Sequence, residues 1–182
     1  MYFYQNALIN TGGLKAGGIK LMTKKDIHFS VEVYGSAKEL SPGDAELLSA
    51  ARAITRQAYA PYSNFLVGAV AALANGKTVA GTNQENASYP VGICAERVLL
   101  SSIASQYPGV VVNTIAISYD NLNGESAHPI SPCGICRQSL SEYEERVKHP
   151  IRVIMSGMKG EVYIIEKASQ LLPLSFSASD MG

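Results

Sequence analysis

Val110-Val111-Val112-Asn113-Thr114-Ile115-Ala116-Ile117-Ser118, followed by the segments Gly134 to Val147 and Ile151 to Ser156, is the run on which the fold turns. Its first part is dense in β-branched side chains, which suit a pleated surface and predict a strand. The middle part predicts a helix, and Ile151-Arg152-Val153-Ile154-Met155-Ser156 predicts a second strand. A strand, a helix and a strand in succession place the two strands parallel, joined by a right-handed crossover.

Outward from this unit, Gly157 to Gly160 predicts a turn, Val162 to Ile165 a last strand and Lys167 to Leu172 a short closing helix. Upstream, Cys94 to Ser105 is rich in Ala, Leu and Val and reads as a helix. The apolar run Val67 to Ala74 and the segment Lys77 to Thr82 flank Asn75-Gly76, a strong hairpin signal that pairs them antiparallel. Ser41-Pro42-Gly43-Asp44 carries a cap residue, a first-turn proline and an acidic residue three after the cap. It opens a helix from about Asp44 to Tyr59 that buries Leu47, Leu48, Ala51, Ile54 and Ala58. The sum is an α/β fold, a mixed five-stranded sheet with helices packed on it, without an internal repeat.

A chain of 182 residues can bury a continuous core as one domain. Met1 to Leu21, with Thr11-Gly12-Gly13 and Gly17-Gly18, reads as a flexible tail ahead of a single domain over 22–182. Fifteen basic and fifteen acidic residues cancel, and Lys24-Lys25 is the longest basic run. That balance weighs against a nucleic-acid polymer as partner, which would call for an excess of counterion-releasing cations. The first 21 residues hold no apolar run long enough for a signal core or a membrane span, so the expected location is cytoplasmic. Three cysteines fit no paired disulfide framework and are expected as thiols or metal ligands.

Cys133-Gly134-Ile135-Cys136 has the two-residue gap of many zinc sites, and on a helix residues three apart share a face. The same gap serves redox dithiols, and taken alone it leaves both readings open. Cys94-Ala95-Glu96 adds a third thiol and a carboxylate at the start of a different helix. Helix N-termini lower thiol pKa values and favour the thiolate that zinc requires. Three protein ligands leave a fourth position open, the arrangement of a catalytic zinc, whereas structural sites close with four. Residues two apart point to nearly opposite sides within a helix, but at its N-terminal tip Cys94 and Glu96 can both lean past the end.

Plainer readings stand beside these. His128 could close a structural Cys₃His site, while His28 and His149 lie in no motif and suit a solvated surface. Glu96 alone is an ordinary first-turn acid, and Arg97 alone a solvated cation. A redox dithiol would use Cys133 and Cys136 and leave Cys94 and Glu96 without a purpose.

Cys94-Ala95-Glu96-Arg97 and Pro132-Cys133-Gly134-Ile135-Cys136-Arg137-Gln138 resemble the cytidine deaminase family, in which three Cys or His/Cys/Cys hold zinc and an unligated Glu is the acid and base. Ala60 to Ala69 is similar to the segment that opens the nucleoside pocket, and Gly81 to Tyr89 to the ribose-binding stretch. Together the likeness spans about Ser41 to Phe176. Cys at the first ligand position is similar to the small homotetrameric nucleoside deaminases; polynucleotide-editing relatives carry His there. The resemblance implies a three-layer α/β/α sandwich and one Zn²⁺ per subunit, held by Cys94, Cys133 and Cys136. It implies hydrolytic deamination of free cytidine or deoxycytidine, with zinc activating the water that attacks C4 and Glu96 shuttling protons. By the same likeness Phe65 packs on the pyrimidine, Asn83 and Glu85 bind the sugar hydroxyls, and Ala95 contributes to the substrate site. Arg97 hydrogen-bonds the zinc thiolates from behind. Phe176, in a segment similar to the family's closing one, reaches a neighbouring subunit's pocket; an ordinary core or interface aromatic is the alternative. The resemblance further implies a homotetramer with active sites at subunit interfaces. The loop Asp120 to Ser131 is longer than compact members need, and it either covers the pocket or sits at a subunit contact.

Overall fold

Residues 22–182 are described by a computed structural model; the expected tail, residues 1–21, lies outside them. In chain order the main elements are β1 (Glu32–Tyr34), α1 (Pro42–Ile54), β2 (Phe65–Leu73), β3 (Thr78–Thr82), α2 (Ala95–Gln106), β4 (Val112–Asn121), α3 (Gly134–Val147), β5 (Arg152–Gly157) and β6 (Val162–Ile165). The strands form one sheet in the order β1-β6-β5-β4-β2-β3. β4 and β5 are parallel, as the strand, helix, strand reading requires, and every other neighbouring pair is antiparallel.

Alternation along the strands sorts the core into two layers. Ile115, Ile117, Val153 and Met155 face α2 and α3, packing with Leu99, Ile103 and Leu140. Ala116, Ile154, Val162 and Ile164 face the other way, onto Leu47, Leu48 and Ala51 of α1. The result is the expected three-layer α/β/α sandwich.

Three local expectations are corrected. The sheet has six strands, because Glu32–Tyr34 adds an antiparallel edge to β6. Those three residues are too few, and too exposed, for burial to impose a clear pattern. Helix α1 ends at Ile54, not near Tyr59: the Thr55 hydroxyl donates back to the Arg52 carbonyl (2.8 Å), and the chain tightens into a 3₁₀ turn over Thr55–Gln57. Ile54 and Ala58 are consequently only half-buried. The hairpin loop has three residues, Ala74 to Gly76: Gly76 N–H donates to Leu73 O (3.0 Å), and Leu73 N–H to Lys77 O (2.9 Å). Gly76 has φ 78° while Asn75 stays at negative φ, so the left-handed residue follows the turn, as in a three-residue hairpin.

Two glycines in the β2–β3 pair let helices approach from opposite sides. Gly68 faces α1 at Ala51 and Ile54, and Gly81 faces α2. A methyl on Gly81 would lie 2.5 Å from Leu99 N and 2.6 Å from Ala95 O, both backbone atoms that cannot swing aside. Gly81→Ala is therefore expected to lower unfolding free energy in urea by about 1–3 kcal/mol, the usual cost of overpacking, and to reduce retained zinc because α2 begins beside Cys94. An unchanged midpoint and zinc content would show that this contact is not tight.

At the α1 N-terminus the predicted Ser41 cap is present, accepting from Asp44 N–H (3.3 Å). Asp44 also receives two hydrogen bonds from the Arg152 guanidinium, at 2.6 and 3.1 Å. Burial alone would raise the Asp44 carboxyl, but the hydrogen bonds from Arg152 and Ser41 and the Arg152 charge hold it below its ordinary value. A carboxylate with a depressed folded pKa contributes stability above its unfolded pKa of about 3.9, and loses it as pH falls through the lower folded value. The pair is part-exposed, so its contribution is on the order of 1 kcal/mol. In urea unfolding from pH 7 to pH 3, wild type should exceed Asp44→Asn by this amount near neutrality and converge with it toward the acid end.

Candidate active site

Cys94 and Cys133 are the N-cap residues of α2 and α3. Neither side chain caps its own helix, so both sulfurs are free to turn toward the space between the two tips. Cys136, one turn into α3, is fully buried. The Cys94 and Cys133 sulfurs are 3.7 Å apart and those of Cys133 and Cys136 3.4 Å apart; all three lie within 4.8 Å of one another. Among the described residues this is the one His/Cys/Asp/Glu cluster with spacing suited to a metal ion.

Thiol chemistry shows what this arrangement requires. The Cys136 thiol donates to Cys94 and lowers its pKa to about 6, against the opposing effects of burial and the Glu96 charge. The same bond, with burial and Glu96, pushes Cys136 far upward. Without a cation, a thiolate at Cys94 thus opposes ionisation of Cys136. A divalent cation between the three sulfurs removes that conflict, and the donor set is one that suits zinc.

Glu96 occupies the first turn of α2 with only 5 % exposure. Burial raises its carboxyl above the ordinary value, partly offset by hydrogen bonds from its own backbone N–H and from the Cys136 thiol. Cys94 and Glu96 therefore do share one site at a helix tip. His128 does not join them: its Nδ1 meets the Tyr119 hydroxyl at 3.3 Å, which removes the residue that would close a Cys₃His site. A third sulfur, that of Cys94, brought within 4.8 Å of the other two argues against a two-cysteine redox pair.

The other anticipated residues gather by backbone pairing. Gln84 and Ile93 exchange hydrogen bonds (2.9 and 3.0 Å), which closes the loop after β3 and brings Asn83 and Glu85 beside Cys94. Tyr59 N–H donates to Asn83 O (3.0 Å) and Glu85 N–H to Tyr59 O (2.8 Å), so the segment leading to Phe65 lies alongside. The Asn83 amide spans the β2 backbone, accepting from Val67 N–H (2.7 Å) and donating to Phe65 O (2.9 Å). Glu85 Oε2 accepts from Tyr62 N–H (3.0 Å) and Ser63 N–H (3.2 Å); the Ser63 hydroxyl and these two bonds together outweigh burial and lower its pKa. Tyr62, Ser63, Glu85, Asn86, Tyr89 and Gly92 line a cavity of about 380 Å³.

Ala95 is fully buried, with its methyl in the core and its carbonyl over Gly81. Arg97 lines a groove between α2 and α3 with Glu142 and Arg146, and its charge favours the Cys94 thiolate. Phe176 is 62 % exposed, its carbonyl accepting from Gln138 Nε2 (2.7 Å). The 120–131 loop folds back onto the turn after β5: Lys159 N–H donates to Ser126 O (3.2 Å), and Ser126 Oγ accepts from Asn121 N–H (2.8 Å). Tyr119, which lies just past the strand expected over Val110 to Ser118 but within β4, stacks on Phe65 with centroids 4.8 Å apart and planes 12° apart.

Three thiols and a buried carboxylate at the tips of two helices, on an α/β/α sheet, define a zinc-binding enzyme with a carboxyl group beside the metal site. Residues 42–150 match the model of the cytidine and deoxycytidylate deaminase zinc-binding region. The chain is 38% identical over 125 residues to the cytidine deaminase of Halalkalibacterium halodurans, covering 69% of this chain and 87% of that protein. It is 33% identical to that of Sporosarcina psychrophila, covering 75% and 93%. The solved structure of cytidine deaminase from Burkholderia pseudomallei superposes with a TM-score of 0.62 at 40% identity, over 75% of this chain and all of that one. The chain belongs to the cytidine deaminase family. Its three-cysteine cluster lies within the matched zinc-binding region and accounts for one Zn²⁺ per subunit. No described helix is long and apolar enough to cross a membrane.

Proposed function

We propose that this enzyme hydrolyses the exocyclic amino group of free cytidine or deoxycytidine, releasing ammonia and leaving the uracil carbonyl. The observation that carries the reading is Glu96, buried beside three sulfurs at the joined tips of α2 and α3. Zinc, when bound by Cys94, Cys133 and Cys136, would supply a water acidic enough to ionise near neutral pH. Glu96 takes up that proton and hands it to N3 of the pyrimidine, which makes C4 electrophilic. After the hydroxyl from water has added at C4, Glu96 takes the proton of that hydroxyl and delivers it to the amino group, so that the C4–N bond breaks, ammonia leaves and the C4 carbonyl forms. Its raised pKa suits a group that must hold a proton as well as accept one.

The remaining side chains bind and orient. Phe65 packs on the base. Asn83 has one amide hydrogen beyond its bond to Phe65 O, and the Glu85 carboxylate has two oxygens of which Oε2 holds the Tyr62 and Ser63 backbone; both side chains are assigned to the sugar hydroxyls. Ala95 contributes its backbone N–H, since its methyl is in the core. Arg97 offsets the charge of the thiolates. The exposure of Phe176, Tyr62, Tyr89, Val91 and Ile135 supports a homotetramer in which Phe176 completes a neighbour's pocket. We place the enzyme in the cytoplasm as a single domain over residues 22–182, acting on nucleosides and not on nucleic-acid strands.

The test is ammonia release and loss of cytosine absorbance with cytidine, deoxycytidine, cytidine monophosphate and adenosine. Turnover of at least one of the two free nucleosides is expected. A folded, zinc-loaded sample that leaves both unchanged contradicts the reading.

A further inference from the structure

We infer that Tyr119 is a positioning residue for the base-binding wall, holding the Phe65 ring flat so that its other surface is ready for the pyrimidine. The inference rests on the deaminase reading, in which Phe65 packs on the base. Phe65 opens β2 and is only half-buried, a position where an aromatic ring turns unless something clamps it. Immobilising it at binding would cost affinity, so a ring fixed in advance binds more tightly.

Both the backbone and the ring of Phe65 are held. The Phe65 N–H donates to Ser63 Oγ (3.0 Å), and its carbonyl accepts from Asn83 Nδ2 (2.9 Å). Its ring is stacked on Tyr119. The β2–β4 register pairs Val67 with Tyr119 and Phe65 with Asn121, so the two rings are diagonal neighbours on one face. Tyr119 itself is 1 % exposed and its backbone is held between β2 and β5, opposite Val67 and Gly157.

The Tyr119 hydroxyl is the informative atom. Around it the core on this face is largely aliphatic, with Ile115, Ile117 and Leu99, and a leucine could have filled the layer. The tyrosine instead carries a hydroxyl that needs a partner, and His128 provides it at 3.3 Å, its ring edge-on at 5.8 Å and 63°. His128 is delivered by the 120–131 loop, whose Ser126 and Ala127 backbone lies against Gly157 and Gly160, where any side chain would collide. None of these groups belongs to the thiol cluster. The extra loop length is thus spent on fixing one ring that stands behind another.

Steady-state kinetics with cytidine on wild type, Phe65→Leu, Tyr119→Leu, the double variant and Tyr119→Phe tests this, with zinc content and Tm measured on each. Phe65→Leu and Tyr119→Leu should each raise KM roughly two- to tenfold, the range of an aromatic stack, with kcat much less affected and zinc retained. Because Tyr119 acts through Phe65, the double variant should be no worse in KM than Phe65→Leu alone. Tyr119→Phe, which keeps the stack but loses the bond to His128, should raise KM by less than Tyr119→Leu and to about the same extent as His128→Ala. A wild-type KM in Tyr119→Leu, or additive effects in the double variant, overturns the inference. Should Tyr119→Leu not fold, His128→Ala at its exposed position decides: KM must rise, and the rise must vanish in the Phe65→Leu background; a wild-type KM overturns the inference. If wild type does not turn over cytidine, or Phe65→Leu leaves KM unchanged, the underlying reading fails first and takes the inference with it.

Discussion

Glu96→Gln should retain stoichiometric zinc and lose roughly two to four orders of magnitude in kcat, the range of a positioned acid–base group. The substitution keeps shape and hydrogen-bonding capacity at a site with 5 % exposure, so the tip of α2 has no cause to move. What it removes is the ability to accept a proton and return it. Burial already raises the Glu96 carboxyl, and it lies close enough to Cys94 and Cys136 to influence both thiols, so its proton sits at the metal site. Metal analysis, Tm and cytidine turnover on the same sample separate the outcomes. Wild-type turnover would remove Glu96 from the mechanism. Loss of zinc together with activity would make it a structural residue.

Cys136→Ala should have a comparably large effect by a different route. Cys136 is the buried member of the three, one turn inside α3, and its sulfur lies 3.4 Å from that of Cys133. Without it the two remaining thiols sit at the helix caps, and zinc affinity should drop enough for the metal to be lost on dialysis, with activity falling to background. Because zinc stabilises the folded state by mass action, the Tm of wild type should rise on zinc addition and that of Cys136→Ala should respond weakly or not at all. A variant that kept one zinc per chain and full activity would show that the metal is held elsewhere.

Much of this site could be read from residue order because its parts are local. Cys94, Ala95 and Glu96 are consecutive, Cys133 and Cys136 are one helical turn apart, and the N-cap position of each first cysteine follows from where the helical pattern starts. The parallel β4–β5 pair was equally legible, since a helix between two β-branched runs leaves few alternatives. What resisted reading depends on distant partners. Asn83 is committed on both sides of its amide to the β2 backbone, 16 and 18 residues away. Tyr119 falls just outside the β-branched run that ends at Ser118, and only the β2–β4 register sets it against Phe65. β1 escaped because three edge residues with little burial impose hardly any pattern. The early end of α1 turned on one hydroxyl, that of Thr55, choosing a carbonyl in its own helix.

The most direct measurement of the central claim, hydrolysis at a three-thiolate zinc with Glu96 carrying protons, is turnover of cytidine in ¹⁸O-labelled water. The zinc-loaded enzyme should release ammonia in step with uridine that carries one labelled oxygen on its base, and the rate should follow zinc content from sample to sample. Unlabelled uridine, or a metal-free sample that works as fast as the loaded one, would contradict it.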